Sequence, residues 1–165
     1  MKLDFIFAQR HDLEQIVSTY NSTVASRLVT ADLVEVSVES KLPWFEQHSP
    51  ESRPLWLIYK DNTYVGWMSF TSFYGRPAYD ATVEVSIYLE QHFRGIGIGK
   101  RCLQKAFDVS AELKIKTLLG FIFDHNEQSL HLFYKMGFEK WAHLPKVANM
   151  MDDERGLVIL GRRIN

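Results

Sequence analysis

The sequence predicts an α/β (α+β) domain, a mixed sheet with helices packed on it. Three observations carry that expectation. Residues 82–89, Thr-Val-Glu-Val-Ser-Ile-Tyr-Leu, alternate with the two-residue period of a strand. Leu13, Ile16, Val17 and Tyr20 recur at the spacing of one helix face. Strand-like and helical stretches interleave along the chain, with no internal repeat, low-complexity tract or linker between them.

Taken in order, residues 3–8 alternate as a first strand, and the helix that follows starts near Asp12, a residue type suited to capping. Residues 21–36 are rich in β-branched side chains without a period and read as irregular, while residues 37–47 present Leu42, Trp44 and Phe45 as one apolar side of a helix that Pro43 strains. Residues 55–59 and 64–70, joined by Asp61-Asn62, read as a hairpin. An aromatic loop at 71–79 enters the strand at 82–89. Beyond it come a glycine-rich loop, a helix to about residue 114, a strand at 117–123, a short helix at 127–135 and strands near 138–143 and 157–162.

Composition narrows the function classes. The 165 residues suffice for one domain with one substantial core. Lysine plus arginine (19) nearly balances aspartate plus glutamate (20), so no broad basic field draws the chain to nucleic acid or anionic lipid. The start reads as a strand rather than a signal peptide, no apolar run approaches membrane-spanning length, and the single cysteine, Cys102, fits a reducing compartment; the expectation is a cytoplasmic protein. Cys102 itself reads as a buried structural thiol rather than an acyl carrier. The six histidines form no ligand-spaced pair, so no metal is expected.

The most informative stretch is Arg94-Gly95-Ile96-Gly97-Ile98-Gly99-Lys100, set between a strand and a helix. Alternate glycines let a backbone turn aim successive N–H groups inward, and the helix adds its positive end, which together suit a phosphate. The spacing excludes the two common nucleotide loops. A Walker A loop requires glycine where Arg94 stands and a hydroxyl where Arg101 stands. A dinucleotide fingerprint requires its third glycine at the position of Lys100 and belongs at the first βα turn, not past mid-chain.

The run from Arg94 to Gly99, after a strand ending Ser86-Ile87-Tyr88-Leu89, resembles the acetyl-CoA pyrophosphate loop of the GCN5-related N-acetyltransferases. A second match supports it: Asn126-Glu127-Gln128-Ser129, followed by Tyr134-Lys135-Met136-Gly137-Phe138, resembles that superfamily's closing motif. Within the superfamily the chain is most similar to phosphinothricin and methionine sulfoximine acetyltransferases, through Tyr20-Asn21, Thr30, Trp44-Phe45, Val65-Gly66-Trp67, Arg76-Pro77-Ala78-Tyr79, residues 82–88 and Leu144-Pro145-x-Val147. It departs at residues 148–156, where the subfamily's glycine-rich stretch and Trp-x-Asp are absent. The resemblance implies a mostly antiparallel central sheet of about six to seven strands flanked by about four helices, acetyl-CoA as cosubstrate, a small amino-acid-like acceptor and a homodimer.

Acetyl transfer to an amine requires a neutral nucleophile, a polarised carbonyl and a proton for the departing thiolate. Alternation on the strand places Glu84 away from its apolar face, beside the aromatic loop, where partial desolvation would raise its pKa and suit it to act as base. The resemblance implies the same role. It also implies that the backbone of Ile87, Tyr88 and Leu89 holds the pantetheine arm, that residues Arg94, Gly95, Ile96, Gly97, Ile98, Gly99 and Lys100 hold the pyrophosphate, and that Asn126 and Ser129 contact the cofactor. Tyr134 matches the tyrosine that protonates the thiolate, with core packing as the other reading. For the acceptor, the resemblance implies Phe73, Tyr74, Gly75, Glu84, Val85 and Ser86. Arg76 offers a fork for a carboxylate, or else a surface ion pair. Two rivals stand beside this reading: a related transferase acting on a protein N-terminus or a polyamine, and a CoA-binding sensor without turnover.

Overall fold

The computed structural model describes residues 1–164. Its elements are β1 (Leu3–Phe7), α1 (Leu13–Asn21), α2 (Val38–Glu46), β2 (Leu55–Lys60), β3 (Thr63–Ser72), β4 (Thr82–Leu89), α3 (Ile98–Ser110), β5 (Thr117–Phe123), α4 (Glu127–Lys135), β6 (Glu139–Asn149) and β7 (Glu154–Arg163). The seven strands form one sheet in the order β1-β2-β3-β4-β5-β7-β6. Every pairing is antiparallel except β4 with β5.

Each local expectation finds its physical reason. Asp61 and Asn62 both adopt left-handed backbone (φ 49° and 65°), the conformation a two-residue hairpin needs to match strand twist. Ser37 caps α2 by accepting the Ser40 N–H at 3.1 Å, and Pro43 is tolerated inside that helix. Asp12 behaves differently from the expected cap: its carboxylate accepts the Gln9 N–H at 2.7 Å and closes a 3₁₀ turn ahead of α1. Of residues 21–36, Asn21 closes α1 and the rest hold only a short 3₁₀ turn. The closing hairpin is longer than the sequence suggests, because β6 runs through the atypical segment to Asn149 and β7 begins at Glu154.

Helices cover both faces of the sheet. On one, α3 and α4 bury Leu103, Ala106 and Phe133 against Val83, Leu118 and Leu160. Cys102 is wholly buried there, and burial pushes its thiol up to about 12, which leaves it an inert packing group. On the other face, Ile16 of α1 and Trp44 and Phe45 of α2 pack on Leu55, Leu57 and Trp67. Each fully buried aliphatic side chain contributes roughly 1.5–3 kcal/mol, so the two layers hold the central strands firmly. Among the described residues no helix is long and apolar enough to cross a membrane.

The feature that creates a site is a failure of pairing. β4 and β5 are parallel partners only at Thr82↔Thr117, Val83↔Leu118 and Glu84↔Leu119. Past Glu84 the strands part, although β4 stays paired to β3 as far as Leu89 and β5 to β7 as far as Phe123.

Candidate active site

A cavity of about 910 Å³ fills the fork between β4 and β5. From Val85 to Leu89, β4 has no strand partner on its β5 side, so backbone groups that would join a ladder face the cavity instead. This is the stretch in which Ile87, Tyr88 and Leu89 are expected to work through their backbone. Val85 and Ser86 line the cavity with them.

Glu84 is the last paired residue before the fork and forms part of the cavity wall. Burial raises its pKa above the ordinary carboxylate range, while Thr71, its cross-strand partner on β3, pulls the other way. Beyond it on the same face, Tyr88 stacks on Trp67 with ring centroids 4.6 Å apart and lies 5.1 Å from Tyr20. The Tyr20 hydroxyl donates to Asp32 and pairs with Thr30. Burial first, then the Asp32 contact, pushes Tyr20 up to about 12, and burial raises Tyr88 as well. Both phenols therefore stay neutral beside Glu84 throughout the physiological range.

The glycine loop closes one end of the cavity. Gly95 and Gly97 adopt φ of 76° and 92°, and a Cβ on either would meet nothing within 4 Å. Glycine is required there by backbone conformation rather than by space. Gly97 is also the N-cap of α3, which has no side-chain cap, so the first N–H groups of the helix remain available. Gly99 has a different reason: its Cβ would stand 2.7 Å from Leu132 of α4, so its absence lets the two helices approach. Arg94 folds back, donating from Nε to the Leu89 carbonyl at 3.0 Å, and Lys100 lines the cavity.

Asn126 is buried, lines the cavity and caps α4, its Oδ1 accepting the Ser129 N–H at 3.2 Å. That bond leaves its amide donor for a ligand. Ser129 lines the cavity too.

Several expected residues lie elsewhere. Tyr134 is 45% exposed, and the cavity is lined by its neighbours Phe133 and Lys135 rather than by Tyr134. The helical period explains this: Leu132 and Met136 mark the inward face of α4, and a residue two positions from each lies on the opposite side. The side chain of Ile96 is half exposed and that of Ile98 is core, so only their backbone is available to a ligand. Phe73, Tyr74, Gly75 and Arg76 sit outside the lining. Phe73 touches the site indirectly, its ring 6.4 Å from that of Phe121, which does line it.

Other walls carry no sequence signal that marks them. Leu28, Val29, Thr30 and Ala31 come from the irregular segment, Phe121 and Phe123 from β5, and Val147 and Ala148 from β6. Residues 28–31 have no periodic pattern that would announce them. Phe121 and Phe123 are accessible in principle, because they share the alternation phase that puts Leu119 opposite Glu84. The basic side chains of the lining, Arg94, Lys100, His131 and Lys135, all come from the glycine loop and its helix or from α4.

Comparison with known proteins agrees with this geometry. The profile of the acetyltransferase (GNAT) family matches residues 17–138. The Bacillus subtilis protein YwnH, which carries a provisional phosphinothricin acetyltransferase name, is 47% identical over 159 residues, covering 96% of this chain and 97% of its own. A crystal structure of a provisionally named phosphinothricin N-acetyltransferase superposes with a TM-score of 0.94 at 45% identity, over 99% of both chains. A Sinorhizobium meliloti phosphinothricin acetyltransferase in complex with AcCoA shares the fold, with a TM-score of 0.91 at 22% identity over 100% of this chain and 90% of its own.

Proposed function

Because the chain belongs to the acetyltransferase (GNAT) family, we propose that it transfers an acetyl group from acetyl-CoA to the α-amine of a small amino-acid-like acceptor, of the phosphinothricin or methionine sulfoximine type, by direct attack in a ternary complex. One observation carries the reading: a carboxylate of raised pKa, Glu84, stands at the fork of the sheet in the same cavity that the glycine loop closes.

The residues present fit acetyl-CoA. The left-handed glycines at 95 and 97 and the uncapped start of α3 suit a pyrophosphate, with Lys100 beside them. The unpaired edge of β4 from residue 85 to 89 offers backbone partners to an amide-containing arm, and Asn126 adds a side-chain donor. When bound, acetyl-CoA supplies a thioester whose C–S bond is exchanged for the acceptor's C–N bond.

Glu84 takes a proton from the acceptor's ammonium group, leaving the neutral amine that attack requires. Its raised pKa makes it a better proton acceptor than an ordinary surface carboxylate, and its position at the cavity wall keeps the transfer short. Leu28, Val29, Phe121 and Val147 give the cavity that it lines apolar walls. The nitrogen sheds a second proton as it becomes an amide, and the departing thiolate takes up one, so the balance closes without a side-chain acid. The scheme assigns no step to Tyr134, which is exposed and outside the cavity lining.

The test is thiol release measured with a panel of amines: amino acids, methionine sulfoximine, phosphinothricin, spermidine and short peptides. Amine-dependent thiol release supports transfer, whereas saturable acetyl-CoA binding without turnover favours a sensor. One observation favours a second acceptor class. Arg76 lies outside the lining and the β4, β5 and 28–31 walls carry no cation, so a peptide N-terminus, which brings no carboxylate next to its amine, is the alternative the panel decides. The resemblance also carries an expectation of a homodimer, which sedimentation velocity at micromolar protein tests.

A further inference from the structure

We propose that Arg53 is a positioning residue for the acceptor, because its guanidinium clamps both feet of the aromatic loop at 73–80. The inference rests on the acetyl-transfer reading of the cavity. Arg53 Nε donates to Ser72 Oγ at 2.9 Å, and Nη2 donates to the Asp80 carbonyl at 2.9 Å. Ser72 is the last residue of β3, and Asp80 stands two residues before β4 begins. One planar group therefore spans the base of the loop. Nη1 meanwhile donates to the Ser52 carbonyl at 2.9 Å, and the backbone of Arg53 is tied in both directions to Ser49 at 3.0 Å. The clamp is thus anchored in a tight turn of its own.

The loop needs such a clamp. Between its feet it makes no strand pairing, and its aromatic rings mainly touch one another: Phe73 meets Tyr79 edge-on at 5.7 Å, and Tyr74 lies 5.5 Å from Tyr79. Tyr74 is 66% exposed, so burial contributes little to holding the loop. The tie that matters for the site is Phe73 against Phe121 at 6.4 Å, since Phe121 is a cavity wall on the same sheet face as Glu84. Moving the loop base shifts that wall, while the 94–100 loop sits on separate elements and is unaffected. A lysine cannot replace the arginine, because an ammonium lacks the fixed fork that reaches one acceptor on each side of the loop base.

Steady-state kinetics of Arg53→Ala and Arg53→Lys, with KM measured separately for the acceptor and for acetyl-CoA, tests the proposal. We expect Arg53→Ala to raise acceptor KM by about tenfold, the loss of two such bonds, with acetyl-CoA KM changed less than about twofold. Arg53→Lys should recover only a minor part of the loss. Two KM values that rise together, or an unchanged acceptor KM, overturn the positioning role. If the wild-type protein releases no thiol with any amine of the panel, the transfer reading fails separately, and backbone hydrogen exchange then judges the clamp. Faster exchange confined to residues 73–80 in Arg53→Ala, with 94–100 unchanged, supports it; unchanged exchange at 73–80 overturns it.

Discussion

The two ends of the cavity are built on opposite principles. At the glycine loop, one short run of consecutive residues offers its backbone, with left-handed φ at Gly95 and Gly97 and the open start of α3, flanked by the side chains of Arg94 and Lys100. Elsewhere in the lining, single side chains arrive from the 28–31 segment, from β5 and from β6, and none of these stretches is a motif. The difference follows from what the proposed function asks each part to hold. A pyrophosphate is the same in every donor molecule and is met by N–H groups that any residue supplies, so a short, fixed backbone shape suffices. An acceptor varies, and a wall that fits it is assembled from scattered apolar surfaces whose identity matters more than their order.

Glu84 stands where the ends meet, and its removal should give the largest effect. Glu84→Gln keeps the shape and the Thr71 neighbour but removes the group proposed as base, so on that proposal kcat should fall by roughly 10²–10⁴ while KM for acetyl-CoA stays within about twofold. A matching loss of donor affinity would mean that the two ends are not separable. The pH dependence has a definite sign. Burial raises the Glu84 pKa, so the rate should climb with pH through a value above the ordinary carboxylate range. Stability runs the other way: the folded state holds this proton more tightly than the unfolded chain, so the contribution is present at low pH and lost as pH rises from the ordinary carboxylate range through the raised pKa. Glu84→Gln should therefore melt no lower than the wild type at neutral pH, which a thermal scan across pH checks.

Gly97→Val isolates the donor end. A Cβ there meets no neighbour, so the cost is purely the left-handed backbone, about 1–3 kcal/mol for a residue forced into that region. If the loop relaxes to escape it, acetyl-CoA KM should rise by roughly ten- to a hundredfold with little change in acceptor KM. Gly99→Ala makes the contrast sharper. Its Cβ would press on Leu132, so it should lower the melting temperature by loosening α3 from α4.

The same contrast explains which parts of the molecule are legible in its sequence. The fold is legible almost element by element, because alternation at 82–89 and 117–123, the Asp61-Asn62 turn and the helical spacing from residue 127 are local signals that the packing does not overrule. The donor end is legible for the same reason: its glycines act where they stand. The acceptor end is not. Residues 28–31 form a wall only because the chain crosses the cavity there, and Phe121 and Phe123 become walls only because β5 parts from β4 after Leu119. The aromatic loop has the composition of an acceptor pocket, yet it reaches the cavity only through Phe73 on Phe121. Tyr134 is matched by motif, and its place on the helix is a matter of angle. A shift of one residue turns a side chain by about 100°, and here Leu132, Phe133, Lys135 and Met136 line the cavity while Tyr134 does not.

Phe121→Ala tests the acceptor end directly. Removing a wall ring should raise acceptor KM by about ten- to a hundredfold for acceptors with apolar side chains, the range of about 1–3 kcal/mol that hydrophobic pocket contacts supply, and should leave acetyl-CoA KM unchanged. Small acceptors that never reach the ring should respond least, so the ratio of their KM changes across the panel maps how deeply each amine is seated.

The smallest effect is expected from Tyr134→Phe. This residue lies on the far side of α4 from Leu132 and Met136, is 45% exposed and lines no part of the cavity. If protons are balanced between the acceptor nitrogen, Glu84 and the leaving thiolate, deleting the hydroxyl removes nothing the reaction uses. Both kcat and the two KM values should stay within about twofold, since loss of a general acid would instead cost about 10²-fold or more. A drop of that size, confined to kcat and relieved with good leaving groups, would show that α4 turns during the reaction and brings Tyr134 into the fork.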